Sequence, residues 1–327
     1  MGLRIGVAGT GRLGRAHVRV LRSLGGVDFV GCCDIDAARA QAVGDEFGAT
    51  AFASLDRMLS DVDAVSIVTS TSAHAEVALQ AIAAGCHLFI EKPITATVAQ
   101  GEAVVRAARD AGRILQVGHI ERFNGALEAV LPRIGQPMFI EVHRLAPFTP
   151  RGTDVSVVMD LMIHDLDLLG LLVGDSPVDI RAKGAALLTR EPDIVNARLE
   201  YADGCVANVT ASRVTASPMR KVRVFSTTGY YSIDLLGAAV THYRKSDSFA
   251  ERMAGLQSGS LDAPPSLSDF VAVERFHGDG GEPLAKELEA FRRAVAENST
   301  PAVTGEAGLS ALRLAAAILE RVGPARM

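Results

Sequence analysis

Short apolar runs alternate with amphipathic stretches through the first third of the chain. The apolar runs Leu3–Ala8, Val27–Cys33, Ala64–Val68, His87–Ile90 and Ile114–Val117 read as strands. Between them, helical periodicity covers Arg12–Leu24, Ala37–Phe47, Ala73–Ala84 and Val98–Ala111. Strands that are apolar on every position and separated by helices predict a parallel, doubly wound α/β sheet, buried on both faces. Ligands of such sheets bind at the carboxyl ends of the strands.

The texture changes after Ile120. Helix Ile120–Leu131 leads into a strand at Met138–Leu145, and a second helix covers Asp160–Val173. Strand-like stretches then follow one another: Val178–Leu188, Asn196–Tyr201, Cys205–Ser212, Arg220–Ser226, Tyr230–Asp234 and Val240–Tyr243. Asp203-Gly204 and Thr228-Gly229 mark hairpin turns. Successive strands without intervening helices predict a C-terminal α+β domain with a large, mainly antiparallel open sheet. Helices Glu282–Glu297 and Glu306–Arg321 close the chain, and Ser246–Pro265, rich in Ser, Gly, Asp and Pro, reads as a surface excursion. The expected domains are 1–120 and 121–327, with a cleft between them. Apolar residues on both sides of Cys205–Val209 suggest that the outer face of the open sheet is covered by another subunit, in a homodimer or homotetramer.

With 327 residues, 48% of them hydrophobic, the chain can form two cores. A net charge of −5 argues against a nucleic-acid groove as the main function. No apolar run is long enough for a membrane span, so no membrane partner is expected. The four cysteines, Cys32, Cys33, Cys86 and Cys205, lack metal-ligand spacing and read as reduced core thiols of a cytoplasmic protein; no metal is expected.

Three clusters carry chemistry. The first is Gly9-Thr10-Gly11-Arg12-Leu13-Gly14, between a strand and a helix. In that setting G-x-G-x-x-G is a dinucleotide turn: the glycines permit the bend and the approach of a pyrophosphate, and the helix start offers free N–H groups. Asp34, 20 residues after Gly14, suits the adenosine ribose and repels a 2′-phosphate, which predicts NAD over NADP. Ser70 and Glu91, at strand ends, are expected on the nicotinamide side, and His74 and Lys92 are expected on the cofactor as well.

The second cluster is Lys92, which leaves the sheet from the stiff corner Glu91-Lys92-Pro93. A lysine there orients a substrate hydroxyl or shares its proton. The third is Asp160…His164…Asp167, where i, i+4 spacing puts Asp160 and His164 on one helix face and a carboxylate stabilises the imidazolium. Which of His164 and Lys92 is the principal base is open at this level. His119, Arg122, Phe123 and Asn124 follow a strand at the ligand end, and Arg144, Arg151, Thr153 and Asp154 precede the Asp160 helix. Two arginines and a hydroxyl suit a diphosphate or a carboxylate, so these eight are the candidate substrate residues.

Together, Gly9–Gly14, Glu91-Lys92-Pro93 and the Asp160…His164…Asp167 helix resemble the Gfo/Idh/MocA family of oxidoreductases over essentially the whole chain. The resemblance implies an N-terminal Rossmann domain, a C-terminal α/β domain used in oligomers, and an active site that here maps to Lys92, Asp160 and His164. A narrower likeness runs through 117–124, 151–155, 159–165, 196–200 and 205–213 to a lipid A-associated branch that includes UDP-N-acetylglucosamine 3-dehydrogenases. Gly152 departs from the serine or similar residue expected in that branch. The likeness implies an NAD-dependent oxidation of a nucleotide-activated sugar at its 3-hydroxyl and an aminotransferase that consumes the ketone. Rivals are an inositol or free-sugar dehydrogenase, an NAD(P)H-dependent reductase, and a non-catalytic NAD-binding sensor or structural protein.

Overall fold

The computed structural model describes residues 2–150, 155–174, 176–259 and 266–323. Two compact units account for the chain: 1–123 with 281–317, and 124–280 with 318–327.

The first unit begins β1 (Leu3–Ala8), α1 (Arg12–Ser23), β2 (Val27–Cys33), α2 (Ala37–Phe47), β3 (Thr50–Ala51) and α3 (Leu55–Leu59). It continues β4 (Ala64–Ile67), α4 (Thr71–Ala83), β5 (His87–Glu91), α5 (Val98–Asp110) and β6 (Leu115–Gly118). Among the described residues the six strands lie in the order β3-β2-β1-β4-β5-β6, every neighbouring pair parallel. This is the doubly wound order with its switch point between β1 and β4. All four residues of β4 are buried, as continuous apolar strands between two helical layers must be. The very short β3 and α3 escape sequence periodicity because neither is long enough to show one.

The second unit contains α6 (Gly125–Val130), β7 (Pro137–Leu145), α7 (Ile163–Leu172), β8 (Asp179–Ala185), β9 (Ile194–Glu200) and β10 (Val206–Ser212). Next come β11 (Met219–Ser226), β12 (Gly229–Asp234), β13 (Ala239–Lys245), α8 (Phe249–Ser258) and β14 (Val271–His277). Helices α9 (Pro283–Glu297) and α10 (Gly305–Val322) complete the chain. The strand order is β14-β13-β12-β11-β7-β10-β9-β8. Every pair is antiparallel except β7 with β10. Inward residues such as Ile140, Val142, Val209 and Val224 are buried at 2% exposure or less.

Three details differ from the sequence reading. First, α9 packs with the first unit: Phe291 is fully buried and meets Phe89 edge-on, ring centroids 5.8 Å apart. The single boundary at 120/121 therefore differs from the compact units, because the hydrophobic stripe of α9 needs a core and finds one on the first sheet. Burying such an aromatic contributes roughly 1.5–3 kcal/mol. Second, the segment read as a surface excursion holds α8, and β14 pairs with β13 beyond it. Residues 260–265 of that segment lie outside the described ones. Third, on β10 the buried residues are Ala207, Val209, Ala211 and Ser212, while Asn208 and Thr210 point outward. The outer apolar surface lies elsewhere, as a ladder of Phe139, Phe225, Tyr230 and Tyr243 across β7, β11, β12 and β13.

No helix of the described residues is long and apolar enough to cross a membrane. All four cysteines are buried free thiols, and burial pushes Cys33 up to about 12.

Candidate active site

The dinucleotide turn is built by close packing. Gly9 has φ +95°, a conformation that favours glycine, and a Cβ there would sit 2.5 Å from the Val68 carbonyl oxygen. A Cβ on Gly14 would lie 1.9 Å from the Gly9 oxygen, so strand and helix touch at that point. Gly11 is different: a Cβ there meets no atom within 4 Å. Its want of a side chain leaves open space at the start of α1, where no side chain caps the free N–H groups. That space belongs to a pocket of about 770 Å³ lined by Gly9, Gly11, Asp34, Arg39, Thr69 and Ser70, among others. The donor set, the open glycine and the volume fit a dinucleotide.

Asp34 stands on the rim of this pocket with its side chain 7% exposed. One carboxylate oxygen accepts from Thr10 N at 2.6 Å and Thr10 Oγ1 at 2.9 Å. The other accepts from Asp36 N at 2.9 Å and from the Arg39 guanidinium at 3.0 Å. Burial pushes the carboxyl up, but these donors outweigh it and hold its pKa below the usual carboxylate range. Thr10 therefore orients Asp34 rather than facing solvent itself, at 3% exposure. Arg12, Leu13 and Ser70 are exposed.

The strand β5 ends in Glu91, and Lys92 follows half-buried. Glu91 Oε1 lies 3.0 Å from His17 Nε2, and Glu91 Oε2 accepts the Lys92 backbone N–H at 3.2 Å. The carboxylate is thus an internal strut at 8% exposure, which differs from the nicotinamide contact expected for it. His74 differs likewise. It is 1% exposed, with Nδ1 2.9 Å from the Pro93 carbonyl and Nε2 3.3 Å from the Thr69 carbonyl. Burial pushes its pKa down, and a neutral ring donates to only one of the two carbonyls, the nearer being that of Pro93.

The residues after β6 also change meaning. His119 and Phe123 are buried, at 1% and 8% exposure. Arg122 reaches the Ala302 carbonyl at 3.4 Å. Asn124 accepts from Ala126 N at 3.1 Å and donates to the Leu235 carbonyl at 2.9 Å. It is the N-cap of α6, the reason the expected Ile120–Leu131 helix is broken there.

In the second unit, Asp160 lies in a single π-helical stretch, Val158–Met162, that runs into α7. The Ile163 N–H bonds back to Val158 O, one residue further than in an α-helix. Such widened turns recur at functional sites. Asp160 and His164 are both half-buried, whereas Asp165 and Asp167 are buried. Arg144, expected on a substrate, is instead 3% exposed and forked onto Asp165 at 2.8 and 2.7 Å. Arg151, Thr153 and Asp154 lie outside the described residues. The stretch after them is anchored by Arg213, whose guanidinium donates to the Val155 carbonyl and whose Nε lies 3.7 Å from Asp193. Asp193 accepts backbone N–H groups of Leu187, Leu188 and Thr189 at 2.7, 2.6 and 2.9 Å.

His17, Asp193 and Arg213 carry no local signal. His17 sits on the apolar face of α1 with Val18 and Leu21, where its spacing reads as core.

Residues 3–119 match the oxidoreductase family with an NAD-binding Rossmann fold, and residues 132–232 match the GFO/IDH/MocA C-terminal domain. The chain is 39% identical over 321 residues to the UDP-N-acetylglucosamine 3-dehydrogenase of Acidithiobacillus ferrooxidans, covering 98% of this chain and 96% of that one. It is 26% identical over 344 residues to an inositol 2-dehydrogenase of Rhizobium meliloti, covering 100% and 98%. The solved structure of UDP-N-acetylglucosamine 3-dehydrogenase GnnA from A. ferrooxidans superposes with a TM-score of 0.88 at 37% identity, over 98% of each chain. With the glycine turn, Asp34 and both domains in place, the chain belongs to the Gfo/Idh/MocA family and is an NAD-dependent oxidoreductase.

Proposed function

We propose that this enzyme oxidises the 3-hydroxyl of UDP-N-acetylglucosamine to a ketone. The observation that carries the reading is the 39% identity over 98% of the chain to a dehydrogenase of that name, together with the Lys92, Asp160 and His164 set.

Gly9, Gly11 and the start of α1 hold the pyrophosphate. Asp34 would accept hydrogen bonds from the adenosine ribose hydroxyls, and the fully exposed Ile35 would offer the adenine an apolar surface. NAD, when bound, supplies the hydride acceptor. The chain's own task is to take the hydroxyl proton and stabilise the developing alkoxide. His164 takes the proton, Lys92 donates a hydrogen bond to the same oxygen, and Asp160 holds substrate or tunes the imidazole. The 151–154 segment serves the sugar nucleotide. The enzyme works in the cytoplasm, in lipid A synthesis, with an aminotransferase as the consumer of its ketone. A second copy covers the Phe139–Tyr243 ladder, since an exposed stacked aromatic strip on an open sheet favours burial.

Full-length similarity to an inositol 2-dehydrogenase supports a polyol as the second reading. A screen for NADH formation with UDP-N-acetylglucosamine, UDP-glucose, inositol and glucose separates them. Turnover of inositol but not of the UDP-sugars would overturn the first reading. NAD binding without turnover of any of them would favour a sensor.

A further inference from the structure

Two buried histidines converge on the corner that carries Lys92. We propose that His17 and His74 are positioning residues for Lys92, acting from opposite ends of the Glu91-Lys92-Pro93 turn. The inference rests on the reading that Lys92 meets the reacting hydroxyl.

From α1, His17 Nδ1 lies 2.9 Å from Ser66 Oγ on β4, and Nε2 lies 3.0 Å from Glu91 Oε1 on β5. The other oxygen of Glu91 receives the Lys92 N–H. Room for this carboxylate comes from β6, where a Cβ on Gly118 would stand 2.9 Å from Glu91 Oε2. From α4, His74 Nδ1 grips the Pro93 carbonyl at 2.9 Å. The two anchors are therefore the residue before Lys92 and the residue after it.

Burying two imidazoles and a carboxylate inside a sheet stabilises less than apolar side chains of the same shape. What the array supplies is direction. A lysine stem is long and flexible, so a stiff hold on its backbone narrows the positions its ammonium can reach. A displacement of about 1 Å at a reacting group costs on the order of 10²-fold in rate.

The two rings make opposite demands, which gives the test. Glutamine places its amide near Nε2 of a histidine, and asparagine near Nδ1. His17→Gln keeps the donor to Glu91, whereas His17→Asn keeps only the Ser66 side. His74→Asn keeps the donor to Pro93, whereas His74→Gln loses it. With UDP-N-acetylglucosamine as substrate, His17→Asn and His74→Gln should lose about tenfold or more in kcat, while His17→Gln and His74→Asn stay within about threefold. The Kd for NADH should change less than about twofold in all four, since the glycine turn and Asp34 are untouched. The double variant His17→Asn/Lys92→Met should be no slower than Lys92→Met alone.

Equal effects of Asn and Gln at both sites, or losses that multiply in the double variant, would overturn the proposal. A slow Lys92→Met with His17→Asn and His74→Gln at full rate overturns positioning alone. A Lys92→Met at wild-type rate removes the reading beneath it as well. A readout independent of turnover is the NMR signal of Lys92, one of five lysines, after ¹³C-methylation of the NADH complex. It should be a single line in wild type, His17→Gln and His74→Asn, and broadened or split in the other two. Single lines throughout overturn the proposal even if UDP-N-acetylglucosamine is not the substrate.

Discussion

Arg144 on β7 grips Asp165 on α7 with two parallel hydrogen bonds of 2.8 and 2.7 Å, and the two side chains are 3% and 1% exposed. The pair locks the helix that carries His164 against the central strand of the second sheet. Removing one partner leaves the other charge buried and uncompensated, so Arg144→Ala and Asp165→Asn should each destabilise by about 3–5 kcal/mol. Arg144→Lys should not rescue, because an ammonium cannot reproduce the fork. Thermal or denaturant unfolding of the variants checks this; a change under about 1 kcal/mol for Arg144→Ala would refute it.

His164→Asn and Lys92→Met should each lower kcat by about 10²–10⁴-fold while NADH binding persists. Turnover and fluorescence titration of NADH test the two halves separately. Near-wild-type rates in both variants would remove the assigned roles, and the pH–rate profile of each tells which group supplies the basic limb.

Asp34 should set the choice of coenzyme. Replacing Asp34 with Ser removes the acceptor for the ribose hydroxyls and leaves Arg39 without its carboxylate partner. NAD should then bind about tenfold more weakly and NADP more tightly, Arg39 being released to meet a 2′-phosphate. Isothermal titration with both coenzymes is decisive, and unchanged preference would show that the discrimination lies elsewhere.

Asp193 should make the fold acid-sensitive at low pH. Burial pushes its carboxyl up, but three backbone N–H groups and the Thr189 hydroxyl bring it down to about 2, from an ordinary value of 3.8. A depressed pKa contributes stability that is complete above the unfolded value, so it is lost as pH falls from about 4 to about 2. The contribution at neutral pH is roughly 2 kcal/mol. Asp193→Asn should lower stability by about that amount at pH 7 and flatten this part of the pH curve. Urea unfolding across pH 2–6 measures both, and parallel curves for the two proteins would contradict it.

The aromatic ladder should hold subunits together. Phe225 stacks on Tyr230 with centroids 4.5 Å apart and is 36% exposed. Phe225→Arg places a charge at that site and should shift the species seen by light scattering to a smaller one, with the fold intact by circular dichroism. A wild-type protein that is already monomeric at micromolar concentration would end the oligomer proposal.

The dinucleotide turn was readable because its constraints are local. Gly9, Gly11 and Gly14 act through the backbone they belong to, and the apolar runs on either side announce a buried strand and an amphipathic helix. The alternation of β1 to β6 with helices therefore led directly to the parallel sheet, and the run of strands from β8 to β13 to the antiparallel one. Short-range grammar failed at elements too brief to have a period, such as β3, at α8 inside a stretch rich in Ser, Gly and Asp, at the break before α6, and at the widened turn around Asp160. There, one extra residue per turn is invisible in a sequence.

The polar side chains were a different matter. Arg144 looked like a ligand for a diphosphate, and only the partner 21 residues away shows it to be an internal tie. Asn124 and His74 resembled site residues until the fold supplied a helix end to cap and a loop carbonyl to hold. His17 looked like core and proved to stand 74 positions from the carboxylate it meets. By itself the sequence determined the two sheets, the phosphate-binding turn and the acid beside it, because periodicity, turn conformation and helix starts are settled within a few residues. The tertiary structure alone decided which charged and polar groups face ligand and which hold the frame. That depends on what lies across the sheet, and a buried charge keeps its place only when a partner distant along the chain meets it.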